Sequence, residues 1–194
     1  MNKLIPGDLL TLEAYAKARP EYRQRMIAHK KNRTVALGDH ITLLFEDELT
    51  VRYQVQEMLR IEKIFEEAGI RDELDAYNPL IPDGSNWKAT LLIEYPDVEE
   101  RRVMLAQLKG IEDRIWVQAD GCARVFAIAD EDLERENDEK TSSVHFVRFE
   151  LDSAMKKALS AGAGLSLGVD HPAYAVRVDA GSAVRGALLK DLDS

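Results

Sequence analysis

The segment Thr50–Phe65, TVRYQVQEMLRIEKIF, decides how the first part of the chain folds. Successive residues of an α-helix are about 100° apart, so its apolar side chains share one broad face. That face carries Val51, Val55, Met58, Leu59, Ile61, Ile64 and Phe65. The opposite side carries Arg52, Gln56, Arg60, Lys63 and Glu67. The pattern predicts an amphipathic helix with Thr50 as its N-cap and with the second set of side chains in solvent.

Three polar residues interrupt the apolar face of this predicted helix. Gln54 and Glu62 project near its middle, and Glu57 projects near its edge. A carboxylate on a buried face is costly unless it is paired, protonated or bound to a ligand. Glu57 and Glu62 are five residues apart, so they cannot form the close pair that an i, i+4 spacing gives. The three residues therefore indicate either a ligand site or a structural polar network.

A histidine later in the chain is the natural complement of such a site. Metal sites combine helical carboxylates with a histidine from another element, and Pro172 restrains His171 to an extended backbone. The candidate ligand or divalent-metal residues are Gln54, Glu57, Glu62, Asp170 and His171. The alternative, which the sequence leaves open, is a buried salt bridge to an arginine such as Arg33 or Arg60 that fixes the helix orientation.

Composition narrows the class of protein. The chain has 194 residues, is 45% hydrophobic and has a formal net charge of -9. This length predicts a single domain over 1–194, helix-rich in 1–78 and strand-rich in 86–194. The acidic balance argues against nucleic acid and against anionic membranes as partners. Cys122 is the single cysteine, and no apolar segment resembles a signal peptide or a membrane span, so we expect a cytoplasmic protein.

The remaining elements predict an α+β fold. Two helices are expected before residue 31, the second beginning at Pro20, and a hairpin is expected across Gly38-Asp39-His40. Strands separated by short turns then follow, which is typical of a mostly antiparallel sheet. We expect about six to eight strands with helices packed on the sheet.

Two charged segments stand apart from this pattern. The segment 129–140, ADEDLERENDEK, has seven acidic and two basic residues, and 19–33 has six basic residues against Glu21. Each is most simply a solvated surface. The basic segment also suggests a patch for an anion or an acidic partner, formed by Arg23, Lys30, Lys31 and Arg33.

Two further motifs do not support catalysis. Gly164–Gly168 matches the GxSxG pattern of hydrolases, but that chemistry needs a strand–turn–helix, and here a second strand is predicted instead. Cys122 lacks a CxxC partner and is interpreted as a packing residue.

Taken together, these residues resemble DUF3501, a bacterial family of unknown function. The resemblance is carried by Lys30, Arg33, Gly38, Phe45-Glu46, Thr50, Tyr53-Gln54, Gln56-Glu57-Met58, Arg60, Glu62, Tyr77-Asn78, Ala89-Thr90 and Ile93-Glu94, and after Gly110 by Asp170-His171-Pro172. Genes of this family often lie beside those of rubrerythrin-like proteins and iron–sulfur oxidoreductases. The resemblance therefore implies a role near iron or peroxide handling, without assigning a catalytic residue.

Three functions follow as hypotheses. The first is a non-catalytic accessory or adaptor protein that works with a rubrerythrin-like or iron–sulfur partner. The second is a metal- or small-molecule-binding enzyme with a carboxylate site on the helix over 50–66. The third is a regulator whose basic helix contacts nucleic acid. With one cysteine, the chain has too few thiolates to hold an iron–sulfur cluster of its own.

Overall fold

A computed structural model describes residues 3–129 and 140–193, and it has an α+β fold. Six α-helices lie within these residues. They are α1 (Leu12–Lys30), α2 (Glu48–Glu62), α3 (Glu67–Tyr77), α4 (Val98–Gln107), α5 (Ser153–Ser160) and α6 (Ser182–Leu188). Short 3-10 helices occupy Pro6–Asp8, Asn78–Leu80, Ile111–Arg114 and Leu189–Asp191.

The strands form two antiparallel sheets. They are β1 (Thr34–Ala36), β2 (Ile41–Phe45), β3 (Asn86–Ile93), β4 (Ile115–Ala119), β5 (Val125–Phe126), β6 (Ile128–Ala129), β7 (Val144–Glu150), β8 (Leu165–His171) and β9 (Tyr174–Asp179). One sheet has the order β1-β2-β3-β7-β6, and the other has the order β5-β4-β8-β9. The predicted α+β class is confirmed, with nine strands in the described residues, slightly more than expected.

The two sheets share one hydrophobic core, and a second one involves α2 and α3. Phe45, Leu91 and Phe149 of the five-stranded sheet join Val117 and Leu167 of the four-stranded sheet in a single buried cluster. A separate cluster lies between α2, α3 and the N-terminal segment, and consists of Leu4, Val51, Val55, Leu59, Leu74 and Ile81. Residues of α1, α2 and α3 lie near the outer face of the five-stranded sheet, and the two surfaces enclose a cavity.

The N-cap of helix α2 lies three residues before the predicted one, Thr50. Asp47 is the N-cap, and its carboxylate accepts a hydrogen bond from the Thr50 amide at 2.9 Å. The Thr50 hydroxyl in turn accepts a hydrogen bond from the Asp47 amide, completing a capping box. At the other end, Lys63 adopts a left-handed conformation with φ 55°, which stops the helix before Phe65.

The N-terminal segment forms one helix where two were predicted. Pro20 lies inside α1, which begins after the Thr11 N-cap and continues to Lys30. Proline removes one backbone donor and disfavours a helix interior, so the prediction placed a helix start there. In the structure, contact between α1 and α2 outweighs that local preference. None of the helices in the described residues has the length and apolar character needed to cross a bilayer.

Candidate functional site

A cavity of about 290 Å³ lies between the outer face of the five-stranded sheet and the helices. Its floor contains a row of side chains across three strands, because Leu44 of β2 pairs with Thr90 of β3, which pairs with Phe146 of β7. Leu92 and Val144 form a second pair beside that row. The remaining lining residues are Lys30, Glu46, Thr50, Val51, Gln54, Tyr77 and Leu80.

Glu46 is the acidic group of the cavity. The residue is 9% exposed, and its carboxylate accepts a hydrogen bond of 2.7 Å from the Thr90 hydroxyl. Within the described part of the chain, this is the single hydrogen bond of that carboxylate, and Glu46 forms no ion pair there. A carboxylate so far removed from water has remaining capacity to accept hydrogen bonds, which makes it a candidate ligand contact.

The backbone around Glu46 is held on both sides. Its amide donates to the Lys88 carbonyl at 2.8 Å, and its carbonyl accepts from the Arg33 guanidinium at 3.0 Å. Arg33 also donates to the Phe45 carbonyl at 2.9 Å. These contacts fix the direction in which the Glu46 side chain leaves the end of β2.

Asp47 connects this backbone to the start of α2. While one oxygen of its carboxylate caps the helix, the other lies 2.7 Å from His29 Nε2 and 3.3 Å from the Arg33 guanidinium. Arg33 additionally forms an ion pair with Asp191, in which both side chains are 3% exposed. Burial raises the pKa of the Asp191 carboxyl to about 6, although the hydrogen bond from Arg33 lowers it. The charged groups beside the cavity are therefore paired with one another.

Glu57 belongs to a different network, on the side of α2 that faces α1. It accepts two hydrogen bonds from Arg19, at 2.7 and 2.9 Å, one from the Tyr15 hydroxyl at 2.6 Å, and one from Arg60 at 3.2 Å. Hydrogen bonding, first from Arg19 and then from Tyr15 and Arg60, lowers the pKa of Glu57 to about 2 despite its burial. Glu57 therefore forms a salt bridge to arginine of the kind that was the alternative to a ligand site, and this salt bridge fixes the orientation of the helix.

The expectation that Glu62 is buried is wrong. Glu62 is exposed at the last residue of α2, and the apolar residues around it are exposed too, Ile61 by 57% and Phe65 by 71%. The helical cluster ends at Leu59 and Ile64, so the final turn of α2 extends beyond the surfaces that would cover it.

Gln56 shows the opposite departure from the helical pattern. Predicted on the solvated side, it is 2% exposed. Its side-chain amide accepts from the Leu10 amide at 2.8 Å and donates to the Leu10 carbonyl at 3.1 Å. The N-terminal segment thus covers a face of α2 that the pattern assigns to solvent. Gln54 is exposed to solvent but lines the cavity.

Asp170 and His171 lie at the end of β8 in the other sheet, and the structure does not bring them to α2. Asp170 is exposed and lies 3.5 Å from the Arg124 guanidinium. His171 forms hydrogen bonds with the Lys109 carbonyl at 3.1 Å and the Ala173 amide at 3.2 Å. Throughout 3–129 and 140–193, no three or more His, Cys, Asp or Glu side chains are grouped to hold a metal ion. The predicted metal site is therefore not assembled among these residues.

The predicted basic patch is divided between three environments. Arg23 and Lys31 are exposed, Lys30 is half-buried and lines the cavity, and Arg33 is buried in its ion pairs. Arg33 therefore cannot contact an external anion, which corrects the prediction. The acidic residues 130–139 lie outside the described residues.

Sequence reasoning did not select Glu46, although it is the buried acid of the cavity. The signal available was its place directly after the alternating strand Ile41–Phe45, where a polar residue leaves the sheet edge. What the sequence lacks is the pairing of Leu44 with Thr90, which brings the Thr90 hydroxyl to Glu46 from 44 residues away.

Comparison with known proteins identifies relatives without assigning a reaction. Residues 3–192 match the family model "Protein of unknown function (DUF3501)". A solved structure described as a novel protein of unknown function from Burkholderia pseudomallei K96243 is 58% identical in sequence. The alignment covers 99% of this chain and 100% of that chain, with a TM-score of 0.95. No curated protein matches the sequence.

Proposed function

The chain belongs to the DUF3501 family, and from its structure we propose that the protein binds a small amphipathic molecule in the cavity beneath α2. Ligand pockets are typically concave and mostly apolar, with a few polar groups that orient the ligand. The apolar floor formed by Leu44, Leu92 and Val144 and the polar groups of Glu46 and Lys30 fit that description.

The observation that carries this function is the state of Glu46. A structural carboxylate at 9% exposure normally has its oxygens paired, as Glu57 does with four hydrogen bonds. Among the residues that the structure describes, Glu46 has one, from Thr90, and it lies at the wall of a cavity. A bound molecule with a hydrogen-bond donor would complete its pairing, whereas an empty cavity leaves the group partly satisfied.

Methyl NMR tests this function directly. Protein labelled at Leu and Val methyl groups is titrated with 1-hexanol, hexylamine, hexanoate and 6-aminohexanoate. We expect saturable shifts at Leu44, Leu92 and Val144, which line the cavity, and little change at Leu167 in the core between the sheets. If none of the probes shifts the cavity methyls, the proposed function is wrong.

A pair of phenylalanine variants provides the control. Leu92→Phe reduces the cavity volume and is expected to weaken binding of every probe that the native protein binds. Val103→Phe adds the same ring at a 45% exposed position on α4, which contributes no residue to the cavity lining, and should leave binding unchanged. Equal binding by both variants would place the probe outside the cavity.

We also propose the accessory role implied by the family resemblance, with a rubrerythrin-like or iron–sulfur protein as partner. The observation that favours a protein partner is the exposed end of α2, where Ile61 and Phe65 present apolar surface to solvent. Apolar side chains that cluster at a surface are typical of interaction sites. The single cysteine supports a reducing, cytoplasmic location for such a pair.

Co-elution in size-exclusion chromatography tests the accessory role with a purified rubrerythrin-like protein. Phe65→Ser should abolish co-elution, whereas Val98→Ser removes a comparably exposed apolar side chain, 62% exposed on α4, and should not. Absence of a complex with the native protein at low salt would reject this role.

A further inference from the structure

We propose that the cavity ligand is a small zwitterion, a molecule that carries an ammonium group, a carboxylate and an apolar body. This inference rests on the binding function proposed above and names the class of molecule bound. It is carried by two side chains of opposite charge, Lys30 and Glu46, which line the same cavity.

Neither charge has an ionic partner in the described part of the chain. Glu46 accepts its hydrogen bond from the neutral Thr90 hydroxyl, and the Lys30 ammonium forms no ion pair or hydrogen bond there. The two groups do not pair with each other either, although they share the cavity wall. Opposite charges held apart in a partly desolvated space leave a gap that a ligand with both charges would bridge.

The neighbouring charges are already engaged, so they do not compete for these two groups. Asp47 is paired with His29 at 2.7 Å and with Arg33 at 3.3 Å. Asp191 is paired with Arg33 in the interior. Lys30 and Glu46 therefore remain as the ionic groups that a ligand in the cavity would meet.

A ligand with one charge would satisfy only half of this arrangement. An amine would pair with Glu46 but would face the like charge of Lys30, and a carboxylate would pair with Lys30 but face Glu46. A zwitterion pairs with both and brings no net charge into the cavity. Each charge-assisted hydrogen bond is stronger than a neutral one, so the zwitterion gains most from the site.

The remaining lining residues bound the size and character of the molecule. Val51, Leu80 and Phe146 supply apolar contact, and Gln54 and Tyr77 complete this part of the lining. A volume of about 290 Å³ is just below the roughly 300–1,000 Å³ that ligand pockets typically occupy, so the ligand should be small. This volume suits a molecule of amino-acid size.

Isothermal titration calorimetry with matched probes tests the inference. One series has separated charges: 6-aminohexanoate, with hexylamine and hexanoate as its singly charged analogues and 1-hexanol as the neutral one. A second series has adjacent charges: leucine, with 3-methylbutylamine and 4-methylpentanoate as its analogues. We expect the zwitterion of at least one series to bind about tenfold or more tightly than both of its analogues, with 1-hexanol weaker still.

Charge variants assign that preference to the two side chains. Glu46→Gln should remove the advantage of the zwitterion over the carboxylate analogue, and Lys30→Met should remove its advantage over the amine. Lys31→Met changes the exposed neighbour of Lys30, and Glu62→Gln changes an exposed glutamate at the far end of α2; both should leave the preference unchanged. Because the two cavity variants report on different analogues, the test survives if one of them fails to fold.

The outcomes separate this inference from the function on which it rests. If, in both series, an uncharged or singly charged analogue binds as tightly as the zwitterion, the inference is overturned and the binding function stays intact. Failure of all probes to bind or to shift the cavity methyls would overturn both. A zwitterion preference that persists in Glu46→Gln and Lys30→Met would also overturn the inference, because other residues would then recognise the charges.

Discussion

Arg33 and Asp191 form a buried ion pair although 158 residues separate them in the chain. The same guanidinium contacts Asp47 and the carbonyl oxygens of Phe45 and Glu46. Arg33 therefore joins the C-terminal 3-10 helix to the segment that ends β2 and begins α2. This junction positions both Glu46 and the first turn of the helix that lies over the cavity.

Removing the arginine should destabilise the protein strongly. Arg33→Met leaves Asp47 and Asp191 without their shared cation in a region of low exposure. We expect a loss of about 3–5 kcal/mol in the free energy of unfolding, measured by urea denaturation at pH 7. Arg71→Met breaks the exposed pair with Glu67 and should cost at most about 0.5 kcal/mol. Equal losses for the two variants would contradict the structural role of Arg33.

Removing the carboxylate of Asp191 should have a smaller effect that depends on pH. Burial raises the pKa of this group from 3.8 to about 6, so the folded state binds its proton more readily than the unfolded state. Its stabilising contribution is complete below pH 4 and is lost as the pH rises through 6. Asp191→Asn keeps a neutral side chain at every pH. The free energy of unfolding of the variant, relative to that of the native protein, should therefore rise by about 2 kcal/mol as the pH increases from 4 to 7.

Urea denaturation of both proteins at several pH values measures that difference. Asp8→Asn, which changes an exposed carboxylate, provides the control and should show a much flatter difference. A relative stability of Asp191→Asn that falls as the pH rises would show that the ion pair outweighs burial.

The network around Glu57 should respond to pH with the opposite sign. Its pKa is lowered from 4.5 to about 2, so its contribution is present above pH 4.5 and is lost as the pH falls towards 2. At pH 7, Glu57→Gln should reduce the free energy of unfolding by about 1–3 kcal/mol, and this loss should shrink on acidification.

Glu62→Gln is the matched control for that variant, since it changes an exposed glutamate on the same helix. We expect it to alter stability by no more than about 0.5 kcal/mol. A cost for Glu62→Gln equal to that for Glu57→Gln would contradict the positions of these two side chains.

Two nearby glutamines of α2 should behave differently when changed to alanine. Gln56→Ala leaves the amide and carbonyl of Leu10 without their partner, and we expect a loss of about 1–3 kcal/mol. Gln54→Ala removes an exposed side chain and should cost less than about 0.5 kcal/mol. Hydrogen exchange gives a second readout, because the Leu10 amide should lose protection in Gln56→Ala alone.

The local parts of the fold could be predicted from sequence because their signals are local. The hairpin at Gly38 is present, and the alternating pattern of 144–151 gives strand β7. The N-terminal boundary of α2 is harder to predict, because Asp47 and Thr50 are both good N-cap residues. In the structure the two residues form one capping box.

Helical periodicity correctly predicted that this segment forms the helix α2, but it did not predict which of its side chains are buried. It assigned Glu62 to a buried face and Gln56 to solvent, and both assignments are wrong. The direction of a side chain follows from local geometry, whereas its burial depends on which segments pack against the helix. For Gln56 that segment is the N-terminal loop at Leu10, 46 residues away.

The cavity could not be predicted from the sequence either, because it too depends on how distant segments pack together. Its floor depends on the register that aligns Leu44, Thr90 and Phe146 across three strands. Gln54 and Lys30 were selected as candidates for other reasons, the first as a helix ligand and the second as part of a basic patch. Glu46 lines the same cavity, and its contact with Thr90 depends on the pairing of β2 with β3.

The calorimetric comparison of 6-aminohexanoate and leucine with their singly charged analogues tests the central claim most directly. We predict that at least one zwitterion binds the native protein, and that the preference for it over its carboxylate analogue disappears in Glu46→Gln. Absence of heat for every probe, together with unchanged methyl signals from Leu44 and Leu92, would contradict a binding function for this cavity.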